Sequence, residues 1–123
     1  MRVLFCGDRE WQDDDLIRWR LELYNPDYDT IVHGAARGAD RIAGKIAKEM
    51  GFNVEAYPAN WNRYGKSAGP RRNKQMLDSG IHKVEAFHDD IENSKGTKNM
   101  VIIARRAKKE VIINRHVTRS GIV

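Results

Sequence analysis

The amino-acid sequence predicts an α/β fold: a single Rossmann-like domain with a five-stranded, mostly parallel sheet and helices on both faces. Three observations carry this expectation. Short apolar runs alternate five times with helical stretches, and the connections between them are short. Glycine, proline and asparagine, which interrupt regular structure, punctuate the boundaries. At 123 residues the chain has room for one core and not for two, and no internal repeat or low-complexity segment interrupts it. The domain is expected to span residues 1–114, followed by a basic C-terminal tail at 115–123.

The elements follow in order. RVLFC (2–6) suits a central strand, and Gly7 ends it. Asp13 is placed to cap a helix reaching about Tyr24, with Leu16, Trp19 or Arg20, and Leu23 along one face. Asn25-Pro26 breaks that helix. TIVH (30–33) is the second strand. After a glycine turn, Ile42, Ala43, Ile46, Ala47 and Met50 form one buried helical stripe, closed by Gly51 as a left-handed cap. NVEAYP (53–58) is the third strand. The stretch from Pro58 to Gly69 is too polar and irregular for either regular form. Pro70 suits the first turn of a helix running to Ser79, and Gly80 closes it. HKVEAFH (82–88) is the fourth strand, and DDIENSKG is a loop. Thr97 or Ser94 opens a last helix with Met100, Ile103, Ala104 and Ala107 inward, and EVIIN (110–114) is the fifth strand.

Composition narrows the class. The formal charge of +5 points to anionic partners such as nucleotides, nucleic acid or phosphorylated metabolites, although Lys108, Lys109, Arg115 and Arg119 are read by default as a solvated basic tail. No apolar run approaches the roughly 20 residues of a membrane span. The apolar stretch after Arg2 is far shorter than the roughly 7–15 residues of a signal-peptide core, so it is read as a strand, the protein as cytoplasmic, and a membrane partner is not expected. The lone Cys6 is read as a buried thiol at a strand end rather than a nucleophile. The four histidines show no ligand spacing, so neither a metal nor a cofactor is expected.

In a doubly wound sheet, ligands bind outside the carboxyl ends of the strands. Four segments fall there: Gly7-Asp8-Arg9, the run Gly34-Ala35-Ala36-Arg37-Gly38-Ala39-Asp40, the stretch from Trp61 to Arg72, and Ser94 to Asn99. A helix N-terminus offers unpaired N–H groups and a partial positive charge, and glycine lets the backbone come close to a phosphate. GAARGAD therefore reads as a phosphate cradle with Arg37 as clamp, or as a tight turn with Arg37 and Asp40 as a surface ion pair. Lys95-Gly96-Thr97 is a second anion corner or an ordinary cap. In PANWNRYGKSAGPRRN, Trp61 and Tyr64 could stack on a base, Lys66, Arg71 and Arg72 could meet phosphate or ribose oxygens, and Asn73 could fix a base edge or sugar hydroxyl. The alternative for that segment is a packed surface loop whose aromatics cover the sheet.

These residues together resemble the SLOG superfamily, in particular its small stand-alone YspA-like branch, frequent in bacteria and their phages. The resemblance rests on GDR, HGAARGAD, PANW…GKSAGPRRNKQM and KGTKNM, and covers roughly residues 2–114. It implies binding of a nucleotide or nucleotide-derived, ADP-ribose-like ligand by a sensor, a sequestering protein or a processing enzyme. More distantly the chain is similar to LOG-type phosphoribohydrolases, which cleave the base–ribose bond of nucleoside monophosphates. Their signature implies a catalytic role for Arg72, with Met76 on the methionine and Gly96-Thr97 on the Gly-Thr. The signature glutamate falls on Asn99, which carries no charge and cannot serve as a base; Asp8, Asp40, Asp89, Asp90 or Glu92 would have to replace it. A third relative, the Rossmann domain of DprA, implies single-stranded DNA binding, which the absence of a contiguous basic stripe disfavours. The LOG resemblance also implies a homodimer or higher homo-oligomer, for which the helix at 13–24, with Trp11 and Trp19, offers a surface.

Overall fold

The computed structural model describes residues 1–116. The tail expected at 115–123 lies from residue 117 onward, Arg119 included, outside the described residues. Five strands, β1 (Arg2–Gly7), β2 (Thr30–His33), β3 (Asn53–Ala56), β4 (Lys83–Phe87) and β5 (Glu110–Asn114), form one sheet in the order β3-β2-β1-β4-β5. Every pairing is parallel. Strand order reverses beside β1, which places the topological switch point at its carboxyl end. Five α-helices connect and cover the sheet: α1 (Asp14–Leu21), α2 (Ala39–Glu49), α3 (Trp61–Tyr64), α4 (Ala68–Asp78) and α5 (Gly96–Arg106). None of them is long and apolar enough to cross a membrane.

The period-two rule of strands divides the core in two. Val3 and Phe5 of β1 point to one face, where Ile17 and Leu21 of α1 and Ala43, Ile46 and Ala47 of α2 pack. Leu4 and Cys6 point to the other, against Met76 of α4 and Met100, Val101 and Ala104 of α5. Asp13 caps α1 by accepting from the Leu16 N–H at 3.2 Å, and Gly51 ends α2 with φ 88°. Pro70 lies in the first turn of α4, as expected. The hydroxyl that opens α5 is that of Ser94, which accepts from Lys98 N–H at 3.0 Å.

Several local expectations change: α1 stops at Leu21 rather than about Tyr24, and β3 at Ala56 rather than residue 58. Of the stripe Leu16, Trp19 or Arg20, and Leu23, Leu16 packs against the core and Arg20 turns inward, whereas Trp19 and Leu23 are 58% and 59% exposed and the buried residues are Ile17 and Leu21. The segment 58–69 is not irregular throughout: Asn60 caps α3 by accepting from Arg63 N–H at 3.1 Å, and a 3-10 turn at Gly65–Ser67 leads into α4. Val101 replaces Ala107 on the buried side of α5.

The shift of the α1 stripe has a cause in β4. Glu85 is fully buried in this strand. Arg20 donates to both its oxygens at 2.9 and 2.8 Å, the Tyr24 hydroxyl donates at 2.5 Å, and Asn114 Nδ2 donates at 2.9 Å. Arg20 and Tyr24 share a helical face with Ile17 and Leu21, so reaching Glu85 rotates α1 away from Trp19. Desolvation of a carboxylate is tolerable only when its oxygens are satisfied in this way. Glu85→Ala would strand the Arg20 guanidinium; urea unfolding is expected to show a loss of about 3–5 kcal/mol, and a loss below about 1 kcal/mol would refute this role.

Candidate functional site

Connections leaving β1, β2 and β4, with the segment from Trp61 to Met76 that follows β3, enclose one cleft of 620 Å³ at the carboxyl edge of the sheet. Asp8, Arg9 and Glu10 line it from the β1 side, Ala36, Arg37 and Asp40 from the β2 side, and Ser94 to Thr97 from the β4 side. The segment following β3 contributes Trp61, Lys66, Arg72 and Asn73. Widely separated segments of the chain thus share one rim.

Two neighbours at the start of α4 hold the rim together. Arg72 Nη1 donates to the carbonyl of Gly34, and lies 3.4 Å from that of Tyr57. Arg72 Nε donates to Asn73 Oδ1 at 3.0 Å. Asn73 Nδ2 in turn donates to the Gly96 carbonyl at 3.2 Å and to Asn99 Oδ1 at 3.0 Å. Loops after β2 and β3 are therefore tied through α4 to the first turn of α5. Arg72 is 9% exposed and Asn73 4%.

The β2 corner is built differently from a phosphate cradle. Gly34 N–H donates to Asp40 Oδ2 at 2.9 Å, Ala35 N–H to His33 Nδ1 at 3.0 Å, and Ala39 N–H to the Asp8 carbonyl at 3.1 Å. Three amides of this corner are thus engaged inside the fold, and it presents side chains to the cleft instead. Gly34 is small because a Cβ would strike Arg72 Nη1 and Asp40 Oδ2. Gly38 has φ 79° and packs against the carbonyls of Asp8 and Arg9, where a Cβ has no room. Ala39 belongs to the core, and Gly7 marks a close approach to Phe87. Nor do Arg37 and Asp40 pair on the surface. Arg37 bonds Glu10, and Asp40 is buried under the cleft floor.

Burial pushes the Asp40 carboxyl up to about 6, against the pull of Arg72 and of N–H groups from Gly34, Ala36 and Gly7. Arg72 is lowered from the usual guanidinium value, first by desolvation, with Asp40 acting in the opposite sense. Burial also holds the His33 imidazole down at about 4, helped by Lys48 and Arg72; its ring packs against Gly44 as a neutral structural histidine. Cys6 lines the floor, and burial raises its thiol well above the ordinary range, which removes it as a nucleophile.

At the second corner, Gly96 and Thr97 begin α5, and their N–H groups meet no acceptor among the described residues. Trp61 lies against Gly69, and Arg9 sits over its ring with Cζ 5.5 Å from the centroid. Arg71 and Tyr64 are not brought to the cleft. They stack on each other at 4.4 Å on the outer side of α4, where Arg71 Nε donates to Ser67 Oγ at 3.1 Å. The expected base-stacking role of Tyr64 and anion role of Arg71 therefore have no support in this arrangement.

Several cleft residues escape the motif reading. His88, with Nε2 4.0 Å from Oδ2 of the expected Asp8, and Glu10 line the cleft. The signal of His88 was positional, since it directly follows the end of β4. Arg41, on α2, lines a smaller neighbouring cavity with Gly34 and Ala35; helical spacing alone reads it as a solvated charge.

Comparison with known proteins agrees with this architecture. A sequence model described as the YspA, cpYpsA-related SLOG family (YAcAr) matches residues 1–64. The Gene 61 protein of Mycobacterium phage D29 is 39% identical over 119 residues, covering 90% of this chain and 94% of that protein. The parallel sheet, the switch point beside β1 and these two matches together place the chain in the YspA, cpYpsA-related SLOG family.

Proposed function

We propose that the chain binds a nucleotide or nucleotide-derived, ADP-ribose-like ligand at the carboxyl edge of the sheet, as a sensor, a sequestering protein or a processing enzyme. Membership of the SLOG family points to nucleotide-related ligands in general. One observation carries the reading to this cleft: the state of Arg72. Its guanidinium is nearly buried, its hydrogen-bond partners are two carbonyls and an amide oxygen, and no carboxylate lies within 4 Å of it among the described residues. Nη2 makes no hydrogen bond among the described residues and is not sealed from solvent. A desolvated cation with neutral hydrogen-bond partners is balanced only at a distance by Asp40, and a ligand phosphate supplies the direct partner it lacks.

In this reading the phosphate lies between Arg72 and the unpaired N–H groups of Gly96 and Thr97 at the N-terminus of α5. Lys66 and Arg37 add charge from the rim, and Trp61 offers a face to the base. Asn73 positions Arg72. For the expected homodimer or homo-oligomer, Trp19 and Leu23 supply the exposed apolar surface.

Hydrolysis ranks below binding because of position 99. Asn99 Oδ1 accepts from Asn73 and does not line the cleft. The carboxylates that do, Asp8, Glu10 and Asp40, are engaged by Glu10 N–H, Arg37 and Gly34 N–H respectively. The asymmetry of the charges, concentrated in a cleft rather than along a stripe, also ranks single-stranded DNA below a small ligand.

A thermal-shift panel of AMP, ADP and ADP-ribose is expected to stabilise the protein, with Arg72→Gln weakening binding by about 2 kcal/mol or more, roughly thirtyfold. Absence of any shift in the wild-type protein removes the main support. Incubation with AMP is expected to release no adenine detectable by chromatography; release that Arg72→Ala abolishes would place hydrolysis first. Asp40 gives a pH signature. Ionised, it competes for Arg72 and repels an anion, so anion binding favours its protonated form and takes up a proton. Affinity for ADP-ribose, whose pyrophosphate keeps its charge here, is expected to rise as pH falls through about 6. Titration calorimetry at several pH values checks this, and Asp40→Asn should flatten the profile.

A further inference from the structure

The cleft is not a single hollow. Arg9, from the β1 connection, meets Trp61, from α3, across its mouth. On the β2–β3 side of this bridge lies a second cavity of 420 Å³. Four arginines line it, Arg9, Arg37, Arg41 and Arg72, and no carboxylate does. The main cavity, by contrast, includes Asp8, Glu10 and Asp40. Among the described residues only Arg37 of the four has an acidic partner, Glu10, so three cations converge without one.

The local backbone is arranged to hold them there. Ala35 has φ 59°, a left-handed conformation uncommon for a residue with a Cβ and mildly costly. Its N–H is held by His33 Nδ1, and its carbonyl accepts from Arg41 Nε at 3.1 Å. The strained residue thereby fixes the Arg41 guanidinium at the cavity and leaves its terminal nitrogens without a hydrogen bond among the described residues. Pro58, Ala59 and Trp61 form the opposite wall, with no acceptor side chain of their own beyond the backbone. Convergent guanidiniums repel one another, by about 1 kcal/mol per pair at ~4 Å even in water and by more where water is partly excluded. An anion removes that repulsion, and the planar fork of arginine matches phosphate oxygens.

We propose that the arginine cavity is a second anion subsite, and that the ligand is a nucleotide bearing two separate phosphate groups, one on each side of the Arg9–Trp61 bridge. This rests on the nucleotide reading of the main cavity and narrows it. Arg72 lines both cavities, as do Arg9, Arg37 and Trp61 of the dividing rim, and stands between the two groups; Arg41 belongs to the second cavity alone. One phosphate meets Gly96 and Thr97, and the other meets Arg9, Arg37 and Arg41. A nucleoside monophosphate fills one side and leaves the other cluster unneutralised.

Titration calorimetry at constant ionic strength with AMP, ADP, adenosine 2′,5′-bisphosphate and adenosine 3′,5′-bisphosphate tests this, in the wild-type protein and in Arg41→Gln. At least one bisphosphate is expected to bind about tenfold or more tightly than AMP, and by a larger margin than ADP, whose phosphates are adjacent. Arg41→Gln, an exposed helix substitution that a circular-dichroism melt should find folded, is expected to remove that increment and leave AMP within about twofold. If AMP binds but neither bisphosphate binds more tightly, or if Arg41→Gln weakens AMP and bisphosphate alike, the second subsite is refuted while the nucleotide reading stands. Failure of all four ligands to bind refutes both.

Discussion

The carboxyl edge of this sheet depends on the side chain of Arg72. It leaves the second turn of α4, passes beneath Gly34 and reaches the carbonyls that end the β2 and β3 segments. Its neighbour Asn73 extends the same tie to the first turn of α5. Much of the local sequence follows from this placement. Residue 34 has no side chain because the guanidinium occupies that space. Asp40 sits under the same glycine, close enough to influence Arg72 but not in ion-pair contact with it. A buried arginine answered by a direct carboxylate would be electrically complete. This one is answered by dipoles, which support the cation while leaving net charge at the cleft.

The two faces of the sheet carry different burdens. The face covered by α4 and α5 is apolar and lies directly behind the cleft floor. The face covered by α1 and α2 contains the Glu85 cluster, far from the cleft in function but decisive for how α1 lies. Fold and strand boundaries were legible because period two and period 3.6 are local properties; β2 and β5 match their expected limits to the residue. The rotation of α1 was not legible. The stripe left Trp19 and Arg20 as alternatives, and Ile17-Leu21-Tyr24 is equally acceptable in isolation; a buried carboxylate on a distant strand chooses Arg20 over Trp19. The single turn of α3 was also hidden, since helices that short owe their existence to a cap and to packing rather than to propensity.

For the candidate site, location was more legible than construction. Glycine and charge at strand ends pointed to the carboxyl edge of a doubly wound sheet, and the four segments do line one cleft there. The same glycines suggested open amides at the β2 corner, yet Asp40, His33 and Asp8 already take three of them. A glycine records that a Cβ is excluded and does not record what excludes it. At Gly34 the excluding group is a side chain from residue 72, and at Gly38 it is the backbone of residues 8 and 9. By residue type Arg71 and Arg72 were alike, with only the resemblance favouring Arg72, and they are opposite in place, because successive residues of a helix point about 100° apart. One turns outward onto Tyr64, the other into the rim.

Position 99 links the architecture to the chemistry. Asn99 closes the hydrogen-bond chain that begins at Gly34 and Tyr57 and runs through Arg72 and Asn73. A neutral amide there accepts from Asn73 without adding charge. A glutamate at the same place would bring a carboxylate to within one side chain of Arg72, in surroundings where water screens poorly. It would accept from Asn73 as the amide does, and it would also add a negative charge behind the buried guanidinium. In the proposed reading, the neutral amide at 99 adds no charge behind Arg72, so the same residue that leaves the resemblance's glutamate unmatched keeps the charge of Arg72 available to a ligand.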